Sequence, residues 1–339
     1  MTDYLLGLFG DLYTTAMVSR GYKRKSSGCV IMEPKTAQQF QDEQQSVVHE
    51  LGDETAMLLS KHPNVAVAVC KNRNEAIERL LATENPPQLV ILDDVYQHRY
   101  VKPTINILLT EYGRLYSDDH ILPFGNLREP RSCSRRANVI IVTKSPKKIN
   151  RLEKHTIANR LKAQSYQKMF FSYIDYGEPI PMLDAAPLSL QDTRHILCVT
   201  GIANPSPLLD ELRHRGIKVE HLAFSDHHDF DSKDIEEIKR RFESINSPSK
   251  IILTTEKDAI RLREVMKEST TQLMDTTETA EGPNISEPQE TPNGHSKLPI
   301  YILPMTIRFH DENGNDFPDY ITSIVKENIS FMTRLKKTL

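Results

Sequence analysis

Tryptophan is absent from the 339 residues, and long apolar runs are absent with it. No stretch approaches the roughly 20 consecutive apolar residues that a membrane-spanning helix needs. The composition therefore excludes a transmembrane protein and leaves open one that rests on a membrane surface. Met1 is followed at once by Thr2, Asp3 and Tyr4. No basic stretch leads into an apolar one there, so no export signal is read. Cysteine is scarce: the four residues, Cys29, Cys70, Cys133 and Cys198, are scattered and form no Cys-x-x-Cys pair. That spacing argues against a structural zinc site or a dithiol redox motif, and reads as four separate reduced thiols. None of the 13 glycines is followed by lysine. The chain as written thus holds no Gly-x-x-x-x-Gly-Lys-Ser/Thr phosphate loop.

The length suits about two domains, each large enough to bury a core. Recurring apolar runs such as Gln88-Leu-Val-Ile-Leu92 and Ser249-Lys-Ile-Ile-Leu253 argue against global disorder. Charge is uneven within a net balance of -3. Residues 128–168 carry twelve basic side chains against two acidic ones. Such a block suits phosphates or an anionic membrane face, or serves only as a solvated surface. Nucleic acid is disfavoured by the acidic overall balance and by the lack of an aromatic-studded RNA-binding signature.

Short apolar or β-branched runs alternate with helical stretches, the pattern of parallel βα units covered on both faces. Strands are expected at 16–19, 65–70, 89–92, 105–109, 139–143 and 169–173, and helices at 37–61, 73–83 and 148–164. Residues 177–193, with Gly177, Pro179, Pro181 and Pro187, read as a linker. A second α/β series follows over 194–339. Its strands fall at 195–200, 219–224, 251–254, 299–304 and 305–309, and its helices at 207–215, 232–244, 257–266 and 319–333. Residues 267–297 hold six acids and two bases among Thr, Pro, Asn and Ser, and read as a disordered insert.

Ligands of an open parallel sheet gather at the carboxyl ends of its strands. The first such place is Leu89-Val-Ile-Leu-Asp-Asp-Val-Tyr-Gln-His98, where Asp93 and Asp94 follow four apolar residues. Adjacent carboxylates there hold Mg²⁺ in nucleotide-binding sheets, or else cap a turn. The second is Gly52-Asp53-Glu54. Gly52 marks a helix start, and Asp53 serves either as its cap or as a base beside the positive end of the helix. The third is Phe224-Ser-Asp-His-His228, whose histidines are loop residues or a ligand, a carboxylate partner or a base. Ser19-Arg-Gly-Tyr-Lys-Arg-Lys25 and Leu122-Pro-Phe-Gly-Asn-Leu-Arg-Glu-Pro130 set Arg or Lys beside Gly, where a phosphate could be met. Thr254-Thr-Glu-Lys-Asp258 closes a strand, and local helix capping by Thr255 and Asp258 accounts for it as well as function does.

Taken together and in this order, these six motifs resemble those of the tetraacyldisaccharide 4'-kinases, the lipid A 4'-kinases of Gram-negative bacteria. The likeness runs along the whole chain apart from the insert. It implies an α/β fold, with a P-loop-kinase-like parallel sheet domain over 1–176 and a second, smaller α/β domain over 194–339. It implies ATP and Mg²⁺ as cofactors and transfer of the γ-phosphoryl group to the 4'-hydroxyl of a tetraacylated glucosamine disaccharide 1-phosphate. The setting implied is the cytoplasmic face of the inner membrane, with the protein peripheral on an anionic surface. Residue by residue, the resemblance makes Asp53 the general base and His227 the histidine that tunes it. Asp93, Asp94 and Glu54 become the acids serving Mg²⁺. Tyr22, Gln97, His98 and Arg128 fall near the substrate or its phosphates.

Two departures stand out. Val95 and Tyr96 replace the Gly and Phe of the family's Asp-Asp-Gly-Phe-Gln-His, which is tolerable only where residue 95 has negative φ. The family's Gly-Gly-x-Gly-Lys-Thr loop falls before Met1, and Thr2–Leu12 corresponds to the helix after it. The expectation is therefore a kinase whose polypeptide, as written, has little or no activity. The alternative is a non-catalytic acyl-disaccharide-binding protein that has lost the use of ATP.

Overall fold

In the computed structural model, the structure describes residues 1–22, 24–36, 38–39, 44–182, 186–226, 228–275, 298–310 and 316–338. The chain divides into two compact units. The first comprises Met1–Asp175 with Met305–Leu339, and the second Tyr176–Pro304.

The first unit opens with α1 (Thr2–Phe9), then β1 (Thr15–Ser19) and β2 (Val30–Met32). Next come α2 (Gln44–Leu51), α3 (Asp53–Lys61), β3 (Ala66–Val69), α4 (Arg73–Leu81) and β4 (Leu89–Leu92). These strands make a sheet in the order β2-β3-β1-β4. It is parallel except for β2, which runs antiparallel to β3 with Val30 opposite Val69. The middles of the central strands, Ala16–Val18 and Ala66–Val69, are apolar because helices cover both faces. Val47, Leu51, Leu58 and Leu59 pack with Met17 and Val67 on one side. Ala76 and Leu80 pack with Val18 and Ala68 on the other.

A second parallel run follows: β5 (Ile107–Glu111), β6 (Val139–Thr143), α5 (Arg151–Leu161) and β7 (Lys168–Tyr176). Its sheet order, β13-β7-β6-β5, is completed by β13 (Met305–Phe309) from the far end of the chain.

The second unit holds β8 (Ile180–Pro181), β9 (His195–Thr200), α6 (Ser206–His214), β10 (Lys218–Ala223), α7 (Ser232–Ser244), β11 (Lys250–Thr255), α8 (Glu256–Asp275) and β12 (Ile300–Leu303). Its strands run in the order β10-β9-β11-β12-β8, all parallel except β8. β13 (Met305–Phe309) and α9 (Phe317–Thr338) then return to the first unit.

Four expectations are corrected. Residues 305–339 belong to the first unit, not the second domain. β13 flanks β7 there, and Phe317, fully buried, packs against Phe170 and Phe309. Residues 177–193 are no free linker, because Ile180 and Pro181 pair with β12 and Leu190–Asp192 form a 3₁₀ turn. The expected single helix over 37–61 breaks at Gly52, whose φ of 84° and ψ of 158° lie in a region only glycine enters readily. Helix α8 runs on to Asp275, so 267–275 is helical, and the rest of the expected insert, 276–297, lies outside the described residues.

The N-terminal helix is fastened electrostatically. Asp3 accepts from Lys61 Nζ at 3.0 Å and lies 2.7 Å from His62 Nε2. Burial raises Asp3, but the hydrogen bond with His62 and the Lys61 charge outweigh it and hold the carboxyl at about 2. A depressed carboxyl contributes stability above its unfolded pKa, and that stability is lost as pH falls through the folded value. Asp3→Asn is expected to cost about 1 kcal/mol at pH 7 once solvent screening is allowed for. The cost should be mostly lost by pH 2, and paired urea midpoints at the two pH values measure it. An equal cost at both would detach the ion pair from stability.

Candidate functional site

Three parallel strands of the first unit, β1, β3 and β4, end on one rim. Ser19-Arg20-Gly21-Tyr22 leaves β1, Cys70 to Arg73 leaves β3, and Asp93-Asp94 leaves β4. The sequence dictates this locally: each apolar run stops where polar residues begin, and the chain turns away from the sheet.

Asp93 is placed by its backbone, whose N–H donates to Val18 O at 2.9 Å. Its Oδ1 accepts from Thr2 Oγ1 at 2.6 Å, which ties the strand end to the start of α1. Asp94 takes a positive φ of 45°. Asp tolerates that conformation better than most residues. Val95 is not among the positive-φ residues, so its branched side chain meets the condition set by the sequence. The Asp94 carboxylate is 73% exposed and faces Arg128 Nη1 at 3.5 Å. That contact brings the 122–130 segment to the rim. Glu129 anchors the segment by accepting from Arg99 and Arg136, and Arg136 in turn lies over the Tyr96 ring at 4.7 Å.

Asp53 and Glu54 open α3 directly after Gly52. A Cβ at Gly52 would fall 2.5 Å from Tyr22 O, so the turn is pressed against the segment that leaves β1. Asp53 and Tyr22 are thereby brought to neighbouring stretches of backbone. Gly52→Ala is expected to cost about 1–3 kcal/mol from backbone strain alone. A urea midpoint unchanged from the parent would show that the turn is not constrained.

Sequence reasoning missed Arg73. A basic residue at a helix start reads as surface, yet this one is 2% exposed. Its Nη1 donates to Cys70 O at 2.7 Å, while Nε and Nη2 meet no partner among the described residues. Burial and then Arg20 lower its pKa, opposed by Asp94 and Asp93. His98 is depressed by burial and then by Arg73 and Arg20, with Asp94 opposing, so it is neutral near pH 7. Arg20, Arg73, Asp93, Asp94 and His98 thus share one electrostatic neighbourhood. Gln97 is exposed beside it.

A buried cation with open donors calls for an anionic ligand, since an unsatisfied buried charge is costly. The hard oxygen donors Asp93 and Asp94 suit Mg²⁺. The two needs together describe a phosphate with its metal.

Comparison with known proteins places the chain in a family. A profile described as tetraacyldisaccharide-1-P 4'-kinase matches residues 1–286. The chain belongs to the tetraacyldisaccharide-1-P 4'-kinase family. Membership makes it an ATP-dependent phosphotransferase by family. The tetraacyldisaccharide 4'-kinase of Bacteroides thetaiotaomicron is 38% identical over 339 aligned positions, covering 96% of this chain and 80% of that protein. The one from Parabacteroides distasonis is 43% identical over 271, covering 78% and 71%. The crystal structure titled the "apo" form of LpxK from Aquifex aeolicus in complex with ATP has a TM-score of 0.61 at 23% identity, over 95% of this chain and 82% of that one. That likeness shows the fold, an α/β kinase-like first unit with a smaller α/β second unit.

Among the second-unit motifs, His227 lies outside the described residues. His228 is tied down: its ring stacks on Phe224, its Nε2 lies 2.8 Å from Asp234 Oδ2, and its carbonyl accepts from Arg261. Thr255 and Asp258 form the local cap. Asp258 N–H donates to Thr255 Oγ1, and the fully buried Asp258 carboxylate accepts from Thr255 Oγ1 and Gly201 N–H. These contacts account for the Thr-Glu-Lys-Asp motif within its own unit. In no helix of the described residues is there a stretch long and apolar enough to cross a membrane.

Proposed function

We propose that this protein transfers the γ-phosphoryl group of ATP to the 4'-hydroxyl of a tetraacylated glucosamine disaccharide 1-phosphate. The observation that carries the reading is the juxtaposition of Arg73, buried with two open donors, and the strand-end pair Asp93-Asp94. Asp53 takes the proton of the acceptor hydroxyl as its oxygen bonds to phosphorus and the bond to ADP breaks. Asp93 and Asp94, with Glu54 from the head of α3, would hold Mg²⁺, which would offset the charge of the phosphates. Arg73, with Arg20 and Arg128 on the same rim, meets phosphate oxygens. His98, neutral near pH 7, and Gln97 and Tyr22 offer hydrogen bonds to the sugar or phosphates.

Tyr100, Leu122 and Phe124 are 92%, 59% and 90% exposed, close in sequence to the rim residues His98 and Arg128. Exposed apolar side chains grouped near phosphate-binding residues suit an acylated acceptor presented at an anionic membrane surface.

The test follows label from [γ-³²P]ATP with Mg²⁺ into the acylated disaccharide. It is run with the 339-residue chain and with the chain extended ahead of Met1 by a strand and a Gly-Lys-Thr loop. Label on the 4'-oxygen, stronger in the extended form, is expected. Label in neither form, or preferential labelling of a water-soluble disaccharide, would overturn the reading.

A further inference from the structure

Sequence spacing separates Cys29 from Cys70, but the fold does not. Cys29 stands one residue before β2 and Cys70 one residue after β3. The antiparallel register that sets Val30 opposite Val69 therefore sets the two cysteines opposite each other. Glu75 joins them from the first turn of α4. The two thiol sulfurs and a Glu75 carboxylate oxygen all lie within 4.8 Å of one another, with Cys70 Sγ 3.8 Å from Glu75 Oε2. The other carboxylate oxygen is already engaged: Arg79, one turn on along α4, donates to Glu75 Oε1 at 2.7 Å. Arg79 thus turns Oε2 toward the thiols. It also reaches Cys29 O at 3.4 Å, bracing the strand end that carries the second thiol.

We propose that Cys29, Cys70 and Glu75 form a binding site for a thiophilic divalent cation, zinc above all, with Arg79 as its positioning residue. Zinc takes sulfur at about 2.3 Å and carboxylate oxygen at about 2.0–2.2 Å, which in a tetrahedron sets neighbouring donors about 3.5–3.8 Å apart. The observed cluster needs to close by at most about 1.3 Å. Two sulfurs and one oxygen select zinc or another thiophilic ion over Mg²⁺, so the site does not compete for the metal of the phosphate rim. Cys70 is buried while Cys29 and Glu75 are half-buried, which leaves a fourth position open to water. The three donors come from two strand ends and a helix, elements rigid enough to hold the geometry. A carboxylate aimed by an outer guanidinium is the arrangement that tunes protein metal sites. Burial and the hydrogen bond to Cys70 push the free Cys29 thiol up to about 11, and a bound cation displaces that proton.

The site has a structural reach. Arg24 Nη1 donates to Val69 O at 3.0 Å and its Nη2 to Gly28 O, so the segment that carries Tyr22 is laced to the same strand ends. A cation there fastens that segment to α4.

The probe is Co²⁺, then Zn²⁺, added to the fully reduced chain under a phosphine reductant. One equivalent of Co²⁺ is expected, with thiolate-to-metal absorption and the visible bands of a tetrahedral ion, displaced by Zn²⁺. Cys29→Ser and Cys70→Ser should abolish the thiolate absorption. Because Cys70 is buried, the decisive variants sit at more exposed positions: Glu75→Gln should weaken uptake, and Arg79→Ala should weaken it about 10–100-fold. Circular dichroism verifies that each variant is folded. A reduced, folded chain that takes up no cobalt overturns the proposal. So does uptake that survives Cys29→Ser unchanged, or a pair that only oxidises to a disulfide.

Discussion

Asp53→Asn is expected to lower turnover by about 10²–10⁴, the span that general base catalysis covers. The substitution keeps the size and the hydrogen-bonding edge of the side chain and removes only its capacity to take a proton. Asn is also accepted near a helix start, so α3 should form as before. The readout is the rate of label transfer to the acylated disaccharide, in the loop-extended chain, with ATP and acceptor both saturating. The loss should appear in kcat and not in the KM for ATP. Turnover within a few-fold of the parent would remove Asp53 from the chemistry and return Gly-Asp-Glu to the capping role that its position at the head of α3 also allows.

Arg73→Met is expected to separate function from stability. Turnover should fall by about 10²–10³, the cost of losing one preorganised donor to developing charge. Stability should hold or rise, because replacing a buried charge by an apolar side chain of similar volume is often neutral or stabilising by about 1–4 kcal/mol. Arg73 fits that case, being 2% exposed with two of its three nitrogens unpartnered among the described residues. A third readout concerns His98. Arg73 is one of the cations that lower its pKa, so the substitution should let that pKa rise, as followed by the ring proton shifts of His98 in NMR titration. A variant that loses several kcal/mol of stability and keeps its turnover would make Arg73 a structural residue.

The sequence made the strand-end acids legible because a strand buried on both faces is uniformly apolar, and its end is marked by the first charge. Leu89–Leu92 followed by Asp93-Asp94 was readable for that reason, as was Val139–Thr143 followed by Lys144. Gly52 was readable as the start of α3 because glycine is costly within a helix, although 37–61 was also read as one helix. Arg73 was not readable. Its burial comes from the strands and helix that close around it, and its own neighbourhood, Lys-Asn-Arg-Asn-Glu, is as polar as any surface. The Cys29–Cys70 contact was hidden for a similar reason, since it follows from the antiparallel register of β2, a three-residue strand too short to mark itself. Helix α8 outran its expected end because a helix already nucleated on a packed first turn extends cheaply into a polar, Thr-rich stretch. The homing of β13 and α9 is long-range by nature. Nothing within Met305–Phe309 names β7 as the neighbour.

That return has a bearing on how the molecule comes into being. The second unit begins and ends side by side, with Gly177 N–H donating to Pro304 O at 3.0 Å, and it carries a full complement of its own strands. It is an insertion, of the sort chains tolerate where entry and exit points meet. A ribosome adding about 5–20 residues per second delivers the whole of it before the edge strand and covering helix that complete the first unit. For on the order of ten seconds per molecule, the sheet built on β5, β6 and β7 therefore stands without its edge strand β13 and without α9. The inserted unit can mature first, and the first unit is the last to become rigid.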